Sequence, residues 1–180
     1  TKISNWKAKL MCDIDMGGHD FASIPKAGAE FDGCGHTIRG LNVVGNMVPT
    51  GLFQEISSNC EIKNLTIENA VVKASNNDAR VGILVGDVYD SLTVENCYVS
   101  GTIETTDGTN KIEAAGGLIG NVREKYSVEI QSCYADAEIK GTASKRFVGG
   151  LVGPVELQPL KTAMQLWIWT LIREIILVDW

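Results

Sequence analysis

The clearest pattern in the chain is an alternation of apolar and polar residues over residues 92–104. Polar side chains separate a series of apolar ones: Leu92, Val94, Cys97, Val99 and Ile103. Such alternation, rich in β-branched residues, is typical of a half-buried β-strand. No stretch before Pro154 shows helical periodicity over three turns. The pattern therefore predicts an all-β protein.

Two short phrases alternate along the chain. A glycine-rich apolar phrase occupies residues 82–88, 116–122 and 149–153, with a degenerate copy at 51–53. A strand-like phrase occupies residues 62–67, 94–99 and 130–135. The glycine phrase advances by 34 residues and then by 33. Self-similarity at such a period indicates a solenoid, a propeller or another array.

The length of the repeat separates these architectures. A propeller blade needs about 40 or more residues and four antiparallel strands, whereas this unit holds two or three short strands. We therefore predict a parallel β-solenoid whose coils, of roughly 30 residues, stack and share a continuous core. Equivalent residues should form ladders along the stack, namely Ile62–Val94–Ile130, Leu65–Cys97–Cys133 and Ile67–Val99–Ala135.

The start of the chain departs from this spacing. Residues 36–43 match residues 60–67 in pattern, but lie only 24 residues earlier. We therefore expect these two segments to be equivalent and the opening coil to be short or differently looped. Terminal repeats are commonly atypical because they cap the stack.

The repeated glycine phrases resemble the GLUG repeat of bacterial surface proteins. The upstream stretch supports the resemblance, because Phe31 opens the string Phe-Asp-Gly-x-Gly-His-x-Ile-x-Gly-Leu and residues 13–18 read Asp-Ile-Asp-Met-Gly-Gly. The likeness covers residues 6–153. It implies a β-helical module, without catalytic residues, of large secreted proteins, among them adhesin-like proteins and the non-catalytic parts of immunoglobulin-cleaving peptidases.

The resemblance also implies structural roles for the repeat glycines, as turn or close-packing positions: Gly82, Gly86, Gly116, Gly117, Gly120, Gly149, Gly150 and Gly153. Ile83 departs from the Gly-Gly pair of the later copies, so a wider corner is expected there. Residues 1–153 are thus expected to form one GLUG-type solenoid of an extracellular or cell-surface protein. No signal peptide opens the sequence, which we interpret as beginning inside a longer precursor.

Residues 154–180 form an apolar tail that does not follow the repeat and contains no glycine. We expect the tail to cap the last coil, with a helix over residues 161–178. A homodimer through the tail is also expected, because one small surface cannot hide Trp167, Trp169 and Trp180 together. Charges at residues 173–174 leave the apolar run short of about 18 residues, so no membrane insertion is expected.

A frame-shifted origin of the tail is suggested by its codons. Read from the third base of each codon, the overlap of Met164 with Gln165 must encode Ala. The overlaps that begin in Trp167 and Trp169 must encode Asp. Other overlaps permit Asn-Cys-Tyr and later Gly-Gly-Leu, the phrases of a missing coil. The alternative is a genuine hydrophobic cap, and the gene sequence decides between the two.

Composition narrows the possible partners. The formal net charge is −6, which argues against nucleic acid because phosphate binding needs basic patches. The five cysteines lack CxxC spacing and the chain has only two histidines, so no metal or other cofactor is expected. Cys97 and Cys133 share a coil position and are interpreted as inward free thiols, with a disulfide between them as the alternative.

An enzymatic function is an alternative because parallel β-helices include polysaccharide lyases and hydrolases. The best carboxylate cluster is Asp13, Asp15, Asp20 and Asp32, and paired carboxylates can hydrolyse glycosides. These residues fall in the opening coil, where we expect them to cap exposed backbone instead. His36 is interpreted as a loop side chain bonded to the backbone, and Asp87 and Asp90 as turn formers. No catalytic residue is therefore predicted, and a carbohydrate-active enzyme stays the alternative.

Tyr98 and Tyr134 are the candidate ligand-facing residues. They recur beside the stacked cysteines, so they should point outward and stack on the solvent face. An exposed aromatic ladder can bind sugar rings or another protein, although ordinary cross-coil support is the favoured interpretation. The sequence thus predicts a structural and interaction module with an unknown protein or carbohydrate partner.

Overall fold

The structure is a computed structural model that describes residues 6–45, 49–75, 79–105, 112–140 and 147–155. Nineteen β-strands lie in these segments: β1 (Lys7–Lys9), β2 (Ile14–Asp15), β3 (Asp20–Phe21), β4 (Ile24–Lys26), β5 (Glu30–Asp32), β6 (Thr37–Arg39), β7 (Asn42–Gly45), β8 (Phe53–Ile56), β9 (Cys60–Lys63), β10 (Thr66–Ala74), β11 (Ala79–Gly82), β12 (Val85–Val88), β13 (Leu92–Glu95), β14 (Tyr98–Thr105), β15 (Ile112–Gly116), β16 (Ile119–Val122), β17 (Val128–Gln131), β18 (Tyr134–Ile139) and β19 (Phe147–Gly149). These segments contain no helix, which confirms the all-β prediction.

The strands form four parallel sheets that run along the molecule. The first contains β1, β5, β9, β13 and β17, and the second contains β2, β6, β10, β14 and β18, with β3 and β7 beside the later half of β10. The third contains β11, β15 and β19, and the fourth contains β4, β8, β12 and β16. From β9 onward the chain visits the sheets in this order with about 32 residues per turn, whereas β1–β8 contribute no strand to the third sheet. The predicted parallel β-solenoid is confirmed.

The predicted ladders form the core. Val94 pairs in register with Ile62 on one side and Ile130 on the other, and Val99 lies between Ile67 and Ala135. Inner members such as Ile62 and Val94 are fully buried. The outermost members, Ile130, Cys133 and Ala135, are half-buried and pack on the edge of the core. Among the described residues this coil has a neighbour on one side only, which agrees with its partial burial.

The glycine phrases mark the crossing from the third sheet to the fourth. A Cβ added to Gly117 would lie 2.5 Å from the Gly150 carbonyl oxygen, and one added to Gly86 would lie 2.6 Å from the Thr50 nitrogen. Neither glycine has a positive φ, so both serve close packing rather than a left-handed turn. Ile83, at the Gly117 position, is fully buried. The wider corner expected at Ile83 stays a prediction.

The register expected for residues 36–43 is wrong. Ile38 pairs with Ile67, in the second sheet, and Phe31 pairs with Ile62 in the first. The apolar rung over Ile62 therefore comes from Phe31, which packs edge-on against Phe53 with ring centroids 5.3 Å apart. The short coil exists one turn earlier, because β2 pairs with β6 only 24 residues further on.

Of the tail, Pro154 and Val155 are described, and Val155 bridges to Val122 in the fourth sheet. The expected helix over residues 161–178 and the cap lie outside the described residues. The homodimer stays a prediction for the same reason. In the part of the chain that is described, no helix has the length and apolar character needed to cross a membrane.

Candidate functional site

Asp13 joins the first coil to the second. Its Oδ1 accepts a hydrogen bond of 3.1 Å from the Thr37 backbone nitrogen and lies 3.1 Å from Nδ1 of His36. Its Oδ2 accepts a hydrogen bond of 3.2 Å from Arg39. The Thr37 N–H, then His36 and Arg39, hold the pKa of Asp13 below its usual value. The His36 side chain therefore contacts a carboxylate, and the expectation that it bonds to the backbone is wrong. The backbone group that bonds to Asp13 is the N–H of Thr37.

Asp15 and Asp20 are engaged elsewhere in the first coil. Asp15 Oδ1 accepts a hydrogen bond of 2.8 Å from the Gly17 nitrogen, within the turn after β2. Asp20 Oδ1 accepts a hydrogen bond of 2.7 Å from Nδ2 of Asn42, on the adjacent strand β7. Asp15 thus fixes its own turn and Asp20 its neighbouring coil, whereas the expected capping of exposed backbone by this cluster stays a prediction.

Asp32 begins a polar ladder that the sequence analysis missed. Its Oδ1 accepts hydrogen bonds from the Cys34 nitrogen at 2.8 Å and from Nδ2 of Asn64 at 3.1 Å. Asn96 Nδ2 donates in turn to Oδ1 of Asn64 at 3.3 Å. We call Asp32, Asn64 and Asn96 the amide ladder. The Cys34 N–H, then Asn64, lower the pKa of Asp32.

The backbone explains why asparagine occupies this ladder. Asn64 and Asn96 have φ values of 53° and 50°, and Ser132 at the equivalent position has 52°. This left-handed turn joins the first sheet to the second, and Asn tolerates it better than most residues because its short side chain bonds locally. The signal was present in the sequence, since these residues recur one coil apart directly before Leu65, Cys97 and Cys133.

Tyr98 and Tyr134 form the predicted outward stack. They pair in register, and their rings are parallel within 3° with centroids 5.6 Å apart. Tyr134 is 61% exposed and Tyr98 is half-buried. Because the rings face each other along the stack, each ring covers one face of the other. A flat sugar face could stack only on the outer face of Tyr134, and the ligand-facing role stays a prediction.

Asp87 is a buried charge, and its interpretation as a turn former is wrong. It lies in β12 with no solvent exposure, and burial raises the pKa of its carboxyl group. Arg123 donates to Oδ2 from Nε at 3.0 Å and from Nη2 at 2.9 Å, while Asn121 donates to Oδ1 at 2.9 Å. Arg80 Nε lies 3.7 Å away. These partners compensate the charge, which would otherwise be costly to bury.

A cavity of about 230 Å³ lies beside this cluster, between the third and fourth sheets. Its lining combines polar groups of Arg80, Glu113 and Asn121 with Phe147, which is 54% exposed. Arg80 Nη2 lies 3.1 Å from Oε2 of Glu113, so these two groups are held together at the wall. We call this feature the corner groove. Planar polar groups beside an exposed ring can contact a carbohydrate or a peptide.

All five cysteines are free in the structure. Cys60 and Cys97 are buried, and burial raises the pKa of each thiol to about 12. The Cys97 thiol donates to the Glu95 carbonyl oxygen at 3.3 Å, consistent with the inward free thiol expected there, whereas Cys133 is only half-buried. Among the described residues, no group of three or more His, Cys, Asp or Glu side chains could hold a metal ion.

Comparison with known proteins finds similarity to one stretch of a far longer protein. The chain is 33% identical over 167 residues to halomucin of Haloquadratum walsbyi (strain DSM 16790 / HBSQ001). The alignment covers 76% of this chain and 2% of halomucin, so the chain spans about 2% of the length of the curated relative it matches. No protein-family model and no solved structure matches the chain.

Proposed function

We propose that this β-solenoid is a non-catalytic structural and interaction module of an exported cell-surface protein, of the adhesin-like, GLUG-repeat type. The similarity to a short stretch of halomucin supports a module that forms a small part of a much larger protein. The parallel coils support a rigid spacer, because each coil adds about 4.8 Å to a continuous core. The net charge of −6 favours solubility of such a rod.

The hydrogen bonds of the polar side chains are the main support for the proposal. The carboxylates of the first coil and the amide ladder bond to turns and to neighbouring coils, so their hydrogen-bonding capacity serves the stack. A glycosidase needs a carboxylic acid whose pKa is raised, facing a second carboxylate across a cleft. The pKa values of Asp13 and Asp32 are lowered instead. This environment favours a structural role over general acid catalysis.

The corner groove is the surface best suited to a protein or carbohydrate ligand. Its ring, Phe147, stands beside the fixed polar groups of Arg80 and Glu113. In the tyrosine stack each ring covers one face of the other, so Tyr134 offers less contact to a sugar. A glycan array with the intact protein, followed by titration of Phe147→Ala and Tyr134→Ala, tests this choice. We expect Phe147→Ala to weaken binding the more, and a loss confined to Tyr134→Ala would move the site to the stack.

The alternative function is a carbohydrate-active enzyme, and it predicts turnover. The test incubates the protein with acidic and neutral polysaccharides and measures new reducing ends and unsaturated products. The Asp13→Asn variant is the matched control, since it removes the charge with little change in shape. We expect no turnover from either protein. Turnover that Asp13→Asn abolishes, in a variant with an unchanged far-UV spectrum, would establish an enzyme.

Surface location is tested on cells that make the full-length protein. We expect brief protease treatment of intact cells to release peptides of this module, while an internal marker protein stays whole. Protection of the module until the cells are lysed would contradict export.

A further inference from the structure

Cys97 and Cys133 lie at the same point of two adjacent coils. Each directly precedes a tyrosine, and Tyr98 pairs in register with Tyr134. The Tyr134 nitrogen donates to the Cys97 carbonyl oxygen at 3.0 Å, so the parallel ladder extends to the cysteines. Paired positions on neighbouring parallel strands lie about 4.8 Å apart, within the Cα separation of about 4.4–6.8 Å that a disulfide spans. The two backbones are therefore placed for a disulfide.

The two thiols also interact. The Cys133 thiol donates to the Gln131 carbonyl oxygen at 3.1 Å, and its Sγ lies 3.5 Å from the Val94 carbonyl oxygen in the preceding coil. It thus reaches toward the coil that holds Cys97. Burial is the main cause of the raised pKa of Cys97, and a hydrogen bond with the Cys133 thiol adds to it. Both sulfur atoms therefore face one shared space between the coils.

The other three cysteines of the chain, all in its described part, are placed differently. Cys60 pairs in register with Leu92, so that rung continues with an apolar side chain and not with a thiol. Cys12 and Cys34 are exposed in the turns that follow β1 and β5. They stand three and two residues after the paired ends of those strands, so their positions are out of register. The register thus selects one pair.

We propose that Cys97 and Cys133 form a disulfide that cross-links two adjacent coils when the protein meets a disulfide oxidant such as oxidised glutathione. A disulfide places its two Cβ atoms about 3.5–4.5 Å apart, so the two turns would approach by less than about 1 Å. The bond closes a loop over residues 98–132 and restricts the unfolded chain. Its occurrence on cells rests on the export proposed above, because disulfides persist in oxidising compartments.

The reaction is a double thiol–disulfide exchange. The less buried thiol, Cys133, loses its proton and attacks one sulfur of oxidised glutathione, which releases a first glutathione thiolate. The Cys97 thiolate then attacks the Cys133 sulfur of this mixed disulfide and releases the second. The two protons pass to the released thiolates. The protein thus loses two electrons, which reduce the oxidant to two molecules of glutathione.

Peptide mapping of the intact chain tests the pairing. The reduced protein is incubated with excess oxidised glutathione, both in its native state and during refolding from urea, and free thiols are then blocked in denaturant. Each cysteine falls in a separate tryptic peptide. We expect residues 81–111 linked to residues 126–140, lighter by two hydrogen atoms than the sum of the two peptides. The same oxidation in concentrated urea should scatter the linkages among all five cysteines.

Urea denaturation measures the effect of the bond. Oxidation should raise the denaturation midpoint of the native protein by about 1 M, and dithiothreitol should remove the increase. Cys97→Ser should abolish the response to the oxidant. Cys34→Ser is the matched control, since it removes an exposed thiol outside the pair, and it should respond as the unmodified chain does.

Three results would overturn the proposal. Five free thiols after both the native incubation and the refolding would show that the two sulfurs cannot bond. A glutathione adduct that persists on Cys133 would show that Cys97 cannot reach it. The same mixture of linkages with and without urea would show that the fold does not direct the pairing. None of these outcomes decides export, which the protease treatment of intact cells tests separately.

Discussion

The middle coils and the first coil of this solenoid are held together by different forces. In the middle coils the rungs Ile62, Val94 and Val99 have no solvent exposure. In the first coil Ile14 is 37% exposed, while Lys7 pairs with Glu30 at 2.6 Å and Asp13 with Arg39 at 3.2 Å. The middle coils thus depend on apolar burial, whereas the first coil combines partly exposed apolar residues with charged contacts to the second coil.

The position of each coil explains the difference. A coil with neighbours on both sides buries both edges of its apolar rungs, whereas a terminal coil buries one. Polar side chains that bond to the adjacent turn supply part of the missing contact, but exposed ion pairs contribute little. The middle coils should therefore set the global stability, and the first coil should open before them.

The largest expected effect on stability comes from truncating a large side chain in the middle of the core. Leu118 has no solvent exposure, so Leu118→Ala should lower the free energy of unfolding by about 2–5 kcal/mol. Leu151, its counterpart in the next copy of the glycine phrase, is half-buried, so Leu151→Ala should cost clearly less. Urea denaturation of both variants measures the difference. Equal losses would show that Leu151 is as well packed as Leu118.

A glycine pair gives the next largest contrast. Gly117→Ala would bring its Cβ within 2.5 Å of the Gly150 carbonyl oxygen and 2.7 Å of the Ala135 Cβ, which should cost about 1–3 kcal/mol. Gly150 holds the same repeat position in the following phrase, and a Cβ there meets nothing within 4 Å. Gly150→Ala should therefore be close to neutral in the same denaturation assay. A large loss at Gly150 would reveal a further layer packed upon it.

Acid should destabilise the first coil more than the middle coils. Hydrogen bonds hold the pKa values of Asp13, Glu30 and Asp32 below their ordinary values. Their contribution to stability is complete above about pH 4–5 and is lost as the pH falls through the lowered values. Asp87 in the middle coils has a raised pKa, so its protonation has the opposite sign.

Hydrogen exchange read by mass spectrometry checks the acid effect. Peptides from β1 and β5 should exchange faster as the pH falls below about 4, after correction for the intrinsic rate, while peptides from β12 and β13 stay protected. Uniform loss of protection along the chain would contradict a polar first coil on an apolar middle.

The smallest effect concerns thiol reactivity and leaves stability unchanged. Cys12 in the first coil and Cys34 in the second are exposed, whereas burial raises the pKa of Cys60 and Cys97 to about 12. Since the thiolate is the nucleophile, a maleimide at pH 8 should modify the first two rapidly and the second two only after unfolding. Mass spectrometry of the digested protein counts the adducts. Rapid labelling of Cys97 would mean that the middle coils open readily.

The regular part of the fold could be predicted because equivalent core residues recur at the same position of successive repeats. Val94 is aligned by both Ile62 and Ile130, so an error in one phrase is corrected by another. The first coil offers no such check, and the likeness of residues 36–43 to residues 60–67 concealed the true partner, Phe31. Local similarity cannot fix the register where the loop between two sheets changes length.

The polar contacts were harder to predict than the core. The surroundings of Asp87 depend on how the third sheet meets the fourth, which brings Arg80 and Arg123 to it from different coils. The spacing of residues along the sequence does not determine the angle between these two sheets. The amide ladder was accessible, because Asn64 and Asn96 recur at the same point of the repeat, but its meaning requires the left-handed turn that both adopt.

The parallel register also determines how the molecule responds to force. Backbone hydrogen bonds between coils point along the long axis, and the described chain begins in the first coil and ends beyond the last full one. Tension between the ends therefore breaks the hydrogen bonds of one coil at a time, in an unzipping geometry. Each coil of about 32 residues would release roughly 110 Å of extended chain in place of about 5 Å of folded length. A stack with this geometry would lengthen in steps as successive coils open.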